Sequence, residues 1–402
     1  MAVPPIAALE IGTSRTVVCV GECDVGDRIK ILGVGTYPTT GVRKGQIIDP
    51  KQARVSVEEA ARMAEKLSGV GIQCVLMAVS GEHIQSFVHP GMLTLRASDR
   101  VVSKLDIEMV NESAHDITLD DDRQILHTIN QSFTLDDQPG IENPEGMRCN
   151  VLMLNVMALH GLKNRIDNAI SVAKSARMDI TDVTFSAICS SMVALTPEQK
   201  RNGVLLIDLG GGTTNYAVYC NNIISAAGSL AIGGDHVTND LAVAFNMSVT
   251  FAEELKIKEG CAVLEPESSA LRLTLPAEVG VDERMISRKA LYTVINARMD
   301  ETFRVLRSKL DEAGVMPHLG SGVVLVGQGA YLRRVTDLAH RVFGLPCRVG
   351  VPLNVDGLEK EEQPAALATA VGLVSYGIRT YKEEHNFLPW LGKFFARGGS
   401  RR

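Results

Sequence analysis

Short apolar runs separated by glycines begin the chain. Residues Ile6–Leu9, Thr16–Val20 and Ile29–Thr36 are rich in β-branched side chains, and glycines stand between them. Runs of this length and composition predict consecutive strands joined by tight turns. A further apolar run, Val75–Val79, is followed by Ser-Gly and predicts another buried strand of the same unit.

Apolar residues at helical spacing predict the helices that accompany these strands. The pattern covers residues 51–67, 162–178, 245–258, 286–313, 332–343 and 364–377. A second strand-rich unit begins at Gly203, and the apolar run Val323–Val326 predicts a further buried strand. Short strands that alternate with helices in this way predict an α/β fold.

The pattern changes in residues 84–158. Strand-like pieces at Gly91–Leu95, Ile125–Phe133 and Val151–Leu159 surround one acidic helix near Ser103–Ala114. Strands grouped around a single helix differ from the alternating pattern on either side. We therefore expect an inserted α+β module at this place in the chain.

Two segments about 200 residues apart share one design. Each has an apolar strand, an acid, a turn of Gly with Ser or Thr, and a second strand. In the first segment these residues are Glu10, Gly12, Thr13 and Ser14. In the second they are Asp208, Gly210, Gly211, Gly212, Thr213 and Thr214. Glycines let backbone N–H groups approach phosphate oxygens, and the acids suit Mg²⁺ with its waters. The repeat predicts a phosphate site, although one such turn alone is common in ordinary hairpins.

Of two other phosphate-binding designs, the Rossmann site is disfavoured and the Walker loop is excluded. Each glycine turn leads into a strand, whereas a Rossmann turn leads into a helix, and the sequence has no GxxxxGK[ST] motif. A third cluster, Gly327-Gln328-Gly329, would allow close approach of a flat ligand such as adenosine, although a plain strand–helix connection explains it equally well. A fourth, Gly233-Gly234, opens a helix whose N–H groups would face an anion.

Composition and charge exclude some classes of protein. The 402 residues are 45% apolar and carry a formal charge of −6, which excludes a globally basic surface for nucleic acid. No apolar run approaches the roughly 18 residues of a membrane-spanning helix, and the first residues lack the basic region of a secretory signal. The eight Cys are scattered, which predicts free thiols, and the nine His show no metal-ligand spacing.

The last residues reverse the sign of the charge. Six apolar side chains follow one helical face there, namely Phe387, Leu388, Trp390, Leu391, Phe394 and Phe395. The tail, which includes Lys393 and Arg397, carries +4, whereas the rest of the chain carries −10. A basic, aromatic amphipathic helix is typical of an anionic membrane surface. The alternative is a helix packed on the protein itself or in a partner's groove.

Several further stretches carry a family resemblance. They are Gly33–Gly35, Gly41–Asp49, Val79–Ile84, Gln124–His127, Gly140–Pro144, Ala252–Lys256, Val294–Arg298 and Ala368–Leu373. With the glycine clusters, they make the chain resemble the FtsA family of bacterial cell-division proteins, in the actin/Hsp70/sugar-kinase superfamily, over essentially its whole length.

The resemblance implies an actin-like fold: two RNase-H-like halves around a nucleotide cleft, an inserted small α+β subdomain and a C-terminal amphipathic helix. The subdomains it implies are 1A (1–83, 159–202 and 350–380), 1C (84–158), 2A (203–232 and 314–349), 2B (233–313) and a membrane-targeting helix (385–397).

The implied cofactors are ATP and Mg²⁺. The two glycine turns would line the phosphates, with Glu10 and Asp208 acting on Mg²⁺ through water; nucleoside and ribose would meet Gly234, Glu253, Lys256, Gly327, Gln328 and Gly329. Without the resemblance, Glu253 and Lys256 would be taken for an ordinary surface pair one helical turn apart.

Three departures from the family pattern concern the nucleotide. Asn215 stands where the family commonly has an acid, and Gln328 interrupts a triple-glycine turn. The segment Phe185–Ser191 offers no acid to position an attacking water, so we expect a weak ATPase at most.

The implied function is that of an ATP-binding, polymerising adaptor. It would tether filaments of the tubulin-like protein FtsZ, and other division proteins, to the inner face of the cytoplasmic membrane at the division site. A basic cluster of Arg284, Arg288, Lys289 and Arg298, with Tyr292 and Ile295 between, would bind the FtsZ C-terminal peptide. Its alternative is a solvated helix face. Rival functions are an adaptor of a pilus or rod-shape assembly and a small-molecule kinase.

Overall fold

Two mixed sheets of one design form the body of the protein. A computed structural model describes residues 3–24, 28–95, 100–265, 271–275, 277, 283–358 and 363–385. The first sheet has the strand order β11-β6-β1-β2-β3-β19. Its strands are β1 (Ile6–Ile11), β2 (Arg15–Cys23), β3 (Ile29–Pro38), β6 (Cys74–Val79), β11 (Asp179–Phe185) and β19 (Val355–Asp356).

The second sheet repeats the pattern of the first. Its order is β14-β13-β12-β17-β18, from β12 (Val204–Leu209), β13 (Thr214–Cys220), β14 (Ile223–Leu230), β17 (Val323–Val326) and β18 (Cys347–Val349). In each sheet three consecutive antiparallel strands are followed by a parallel strand beside the first. This repeated arrangement confirms the expected two halves, and it places both glycine turns at equivalent corners.

A third sheet is inserted between β6 and β11. It has the order β7-β10-β8-β9, from β7 (Gln85–Thr94), β8 (Arg123–Leu135), β9 (Gln138–Ile141) and β10 (Val151–Leu162). Helix α2 (Lys104–His115) covers one face, with Val110 and Ala114 buried against the strands. The inserted α+β module expected from the sequence is confirmed.

Helices surround the two main sheets. They are α1 (Pro50–Ser68), α3 (Lys163–Ser175), α4 (Ser186–Ala194), α5 (Pro197–Asn202), α6 (Gly234–Ala244), α7 (Val249–Glu259), α8 (Arg288–Glu312), α9 (Val335–Phe343) and α10 (Ala368–His385). Local signals fix their ends. Asp49 caps α1 by accepting from the N–H groups of Lys51 and Gln52, and Gly69 ends it in the left-handed conformation.

Helices α4 and α10 pack together beside the central strands. A Cβ on Gly372 would lie 1.9 Å from the carbonyl oxygen of Cys189, so only glycine permits this approach. Pro364–Leu367 form a 3₁₀ turn, and α10 therefore begins four residues later than the sequence pattern predicts. No helix among the described residues is long and apolar enough to span a membrane.

Two short hairpins were absent from the sequence prediction. β15 (Arg272–Leu275) pairs with β16 (Arg284–Ser287), so the predicted helix at 286–313 begins at Arg288 instead. β4 (Val42–Arg43) pairs with β5 (Gln46–Ile47) around a Lys44-Gly45 turn. Four-residue and two-residue strands are too short to give a period-2 signal.

Candidate functional site

The two glycine turns meet in a cleft between the halves. Both have the same hydrogen bond: Gly12 N–H donates to Arg15 O, and Gly210 N–H donates to Thr213 O, each at 3.0 Å. A Cβ on Gly212 would lie 2.4 Å from Thr13 Oγ1. The residues that the sequence assigned to phosphate are therefore brought together, and the contact between the turns requires glycine.

The start of α6 supports the second turn. Gly234 N–H donates to Gly210 O at 2.9 Å, and Asp235 N–H donates to Gly211 O at 2.8 Å. These two N–H groups hold the turn in place, so they do not face a ligand as the sequence suggested for the beginning of this helix. Gly234 nevertheless lies against the same cavity as the turn.

Lys256 lies in the cleft and is held there by three acceptors. Its Nζ donates to Glu253 Oε2 at 2.7 Å, to Thr238 Oγ1 at 2.8 Å and to Gly234 O at 3.1 Å. The Lys256 side chain is 14% exposed, whereas that of Glu253 is 42% exposed. The alternative of an ordinary surface pair is wrong for Lys256, because three acceptors in two helices fix its position.

A cavity of about 380 Å³ lies between these groups. The predicted residues that line it are Ser14, Gly210, Gly211, Thr214, Gly234, Glu253, Lys256, Gln328 and Gly329. The remaining predicted residues, Gly12, Thr13, Gly212, Thr213 and Gly327, are not among those lining the cavity. Gly12, Thr13, Gly212 and Thr213 belong to the two turns, and Gly327 lies beside Asp208.

Other lining residues were missed by the sequence analysis. Arg333 lines the cavity, lies over the Tyr292 ring and pairs with Glu265 at 3.1 Å. Asp235 and Gln363 also line it. Nothing in the spacing of these residues distinguishes them from ordinary surface positions, since tertiary packing brings them to the cavity.

Two buried carboxyl groups lie beneath the turns. Burial and the negative charge of Asp208 raise the pKa of Glu10 to about 7, although the positive charge of Arg15 opposes the shift. Burial also raises the pKa of Asp208, against hydrogen bonds from Asn215 and Thr369 that lower it. Glu10 Oε2 is buried and has no hydrogen-bond partner among the described residues. Burying two carboxyl groups in their ionised form reduces the stability of the folded state unless a cation binds beside them.

Asn215 supports Asp208 directly. The two residues are opposite each other in the β12–β13 pairing, and the Asn215 amide hydrogen-bonds to the carboxyl group. Ser229 Oγ donates to Asn215 Oδ1 at 2.7 Å, which directs the amide nitrogen toward Asp208. An acid at this position would add a third carboxyl group, whereas the amide favours an ionised Asp208.

Gln328 crosses the cleft. Ser14 Oγ in the first half donates to Gln328 Oε1 in the second half at 3.1 Å. The preceding Gly327 has φ of 84°, and a Cβ there would lie 2.5 Å from Asp208 Oδ1. Glycine is therefore required at 327, while the side chain at 328 reaches Ser14 in the first glycine turn.

The predicted partner residues lie in separate contacts. Arg284 is in β16 and donates to the carbonyl oxygens of Phe245 and Asn246. Arg288 pairs with Glu259 at 2.6 Å. Arg298 pairs with Asp240 and Glu301, each at 2.6 Å. The expectation that Tyr292 and Ile295 belong to this surface is wrong, because both side chains are buried in the core.

The predicted membrane-targeting helix, 385–397, lies outside the described residues except for His385, which is the last residue of α10.

Comparison with known proteins decides the family. A family model described as "Cell division protein FtsA" matches residues 205–372, and one described as "SHS2 domain inserted in FTSA" matches 81–159. The chain is 31% identical to the cell division protein FtsA of Pseudomonas aeruginosa over 93% of its own length and 89% of the relative. It is also 31% identical to that of Escherichia coli K12, over 94% and 91%.

The chain belongs to the FtsA family of cell-division proteins.

Solved structures with the same fold confirm the actin-like architecture. The PilM–PilN type IV pilus biogenesis complex matches with a TM-score of 0.64 at 17% identity, over 93% of this chain and 98% of that chain. MreB5 of Spiroplasma citri bound to ADP matches with a TM-score of 0.56 at 15% identity, over 95% and 98%. At these identities the likeness extends to the fold alone.

Proposed function

We propose that this member of the FtsA family is an ATP-binding, polymerising adaptor that tethers FtsZ filaments to the inner face of the cytoplasmic membrane during division. The observation that carries the proposal is the cleft: two glycine turns from opposite halves meet beside a cavity that contains Lys256 and Glu253. MreB5, of the same fold, is bound to ADP in one structure and to AMPPNP in another. ATP in this cleft would contact both halves.

Magnesium fits the carboxyl pair. The buried, unpartnered Glu10 Oε2 and the neighbouring Asp208 offer acceptors for the water molecules that Mg²⁺ keeps when it binds beside phosphates. The described part of the chain has no cluster of three or more Asp, Glu, His or Cys side chains for a metal. Phosphates and water would therefore complete the coordination, as is usual for Mg²⁺ with a nucleotide. The ion would neutralise phosphate charge, while the carboxyl groups would orient its waters.

ATP turnover by this chain would be slow. The segment 185–191 forms the end of β11 and the buried start of α4, and it contains no carboxylate. Ser190 Oγ lies 2.9 Å from Thr369 Oγ1, which in turn donates to Asp208 at 3.4 Å, so the hydroxyl groups there support the carboxyl group. Without a base to orient water, phosphoryl transfer is slow. The nucleotide would act through its presence in the cleft.

Helix α10 connects the cleft to the tail. At its start, Gly327 N–H donates to Ala365 O at 3.0 Å, and Thr369 bonds to Asp208. The helix ends at His385, immediately before the basic, aromatic tail. Its 18 residues span about 27 Å at 1.5 Å per residue. Cleft occupancy and membrane binding would thus act on opposite ends of one helix.

The partner region shares a helix with the nucleoside site. Helix α7 carries Glu253 and Lys256 near its middle and Glu259 at its end, where Glu259 binds Arg288. An acidic peptide such as the FtsZ tail would compete with Glu259 for Arg288. This arrangement would let the nucleotide influence how the peptide binds.

Recruitment of labelled FtsZ to phosphatidylglycerol vesicles tests the proposal. We expect recruitment by the full chain with Mg-ATP, and loss of vesicle binding in the double variant Trp390→Glu/Phe394→Glu. Arg288→Gln should keep vesicle binding but recruit several-fold less FtsZ, while Lys309→Gln, at the other end of α8, serves as its matched control.

Two outcomes would contradict parts of the proposal. Vesicle binding without FtsZ recruitment would assign the protein to another membrane assembly. Vesicle binding that persists in the tail double variant would remove the tail from the mechanism.

A further inference from the structure

A small hairpin lies against the two glycine turns. We call β4, β5 and the turn between them, residues 42–47, the cleft hairpin. Its base is fixed, because Ile48 N–H and Asp49 N–H both donate to Gly41 O, at 2.8 and 3.0 Å. Val42 is buried in the core under α1. The tip is therefore held at one place relative to the first sheet.

The tip of the cleft hairpin touches both phosphate turns. Gly45 N–H donates to Thr13 Oγ1 at 3.0 Å. A Cβ on Gly212 would lie 2.8 Å from Lys44 Cα and 2.9 Å from Lys44 N. The backbone of Lys44 is thus in close contact with the turn of the opposite half, across the cleft from its own sheet.

The residues that follow one another along the cleft show where Lys44 would lie relative to a bound nucleotide. Glu253 and Lys256 lie at one end, Ser14 and Gly211 line the cavity next, and Gly212 with Lys44 lie beyond them. A nucleotide with its nucleoside at Lys256 and its phosphates along the glycine turns would extend toward Lys44. The last phosphate of a triphosphate would reach furthest.

Lys44 supplies positive charge at this end. Its side chain is exposed, and it forms none of the salt bridges found among the described residues. Besides burial, the charge of Lys44 lowers the pKa of His236, in the first turn of α6, so its field acts across the cleft. Lys44 also has φ of 50°, a left-handed conformation held by the tight turn.

We propose that Lys44 is a specificity-determining residue that binds the terminal phosphate of a nucleoside triphosphate and thereby distinguishes it from the diphosphate. The inference rests on the proposed nucleotide binding and deepens it. When the terminal phosphate is present, the Lys44 ammonium group donates to it and joins the cleft hairpin to the second half. With a diphosphate the same ammonium group stays in water.

Calorimetric titration of the full chain with Mg-AMPPNP and Mg-ADP tests this role. Lys44→Asn removes the charge and suits the left-handed backbone, since asparagine tolerates positive φ. A charged hydrogen bond to phosphate is worth tenfold or more in affinity. We expect Lys44→Asn to weaken AMPPNP binding about tenfold and to leave ADP binding within about twofold. Lys44→Arg should retain the preference, and Arg43→Gln, a neighbouring cation in the same hairpin, is the matched control.

The outcomes separate this inference from the proposed function. If the wild-type chain binds neither nucleotide, the proposed ATP site is wrong, and the role of Lys44 falls with it. If it binds both but Lys44→Asn weakens them equally, or weakens neither, the Lys44 inference alone is overturned. Lys44→Gly, which also accepts positive φ, repeats the comparison should the asparagine variant fold poorly.

Discussion

At the residue scale, Gln328 joins the two halves of the cleft because its side-chain carbonyl oxygen accepts from the Ser14 hydroxyl group. The same hydroxyl group is one of the donors expected to bind phosphate, so Gln328 competes with the nucleotide for Ser14. We expect Gln328→Ala to raise nucleotide affinity about two- to tenfold, from the ~0.5–1.5 kcal/mol typical of one hydrogen bond. Gln363→Ala, at another residue lining the cavity, is the control in the same calorimetric titration. A fall in affinity would show that Gln328 binds the nucleotide directly.

Residue chemistry also explains how far the site was predictable. The two turns were recognisable because Gly and Thr follow an acid between two strands in both places, and this repetition is far less common than a single such turn. The burial of Lys256 was not predictable, since the sequence shows only an acid and a base three residues apart. Its contacts with Thr238 and Gly234 come from the packing of α6 on α7.

At the element scale, His127 ties the inserted sheet to the first half. Its Nε2 accepts from Phe185 N–H at 3.2 Å, linking β8 to the end of β11. Burial lowers the pKa of His127 to about 4, although the charge of Asp182 opposes the shift. Between pH 6.5 and 4 the unfolded chain therefore binds a proton that the folded chain does not, so stability falls as the pH falls through this range.

The histidine contribution can be isolated by substitution. His127→Gln keeps an acceptor but does not titrate, and we expect it to remove about 3 kcal/mol of the stability lost between pH 7 and 4, at ~1.4 kcal/mol per pKa unit. Urea denaturation at a series of pH values measures the difference. The same change at the exposed His318 is the control. If the free energy of unfolding of His127→Gln depends on pH as it does in the wild type, His127 does not contribute to the loss of stability at low pH. His83, whose pKa is also lowered to about 4, would account for a remaining slope.

Element boundaries show where sequence patterns stop being informative. The caps of α1 can be read from Asp49 and Gly69. Its buried face could not, because Val55, Met63 and Leu67 are exposed while small residues such as Ala60 and Ala64 pack against the sheet. The start of α7 was placed at residue 245, whereas the helix begins at Val249. The β15–β16 hairpin was missed, because short elements have too few residues to establish a period. The cleft hairpin was missed for the same reason, although its residues were among those that carried the family resemblance.

At the scale of the whole molecule, two similar sheets meet at their glycine turns, and a ligand in the cleft would contact both. The duplicated turns indicated two units of similar design, and the family resemblance implied that these units form two halves around a cleft. The family resemblance supplied the identity of the inserted module, while its place was visible as a change of pattern after residue 84. The sequence did not predict that the three arginines of the partner region contact different partners, because each partner comes from a different part of the chain. The arginines are Arg284, Arg288 and Arg298.

We propose that the cleft binds a nucleotide between the two halves. Thermal unfolding of the full chain with increasing Mg-ATP measures this binding. Binding to the folded state alone stabilises it by about 2.7 kcal/mol when the ligand is at a hundred times its dissociation constant. We expect a concentration-dependent rise in Tm for the wild type and a much smaller rise for Lys256→Met. No rise in the wild type, or an equal rise in Lys256→Met, would contradict a nucleotide site in this cleft.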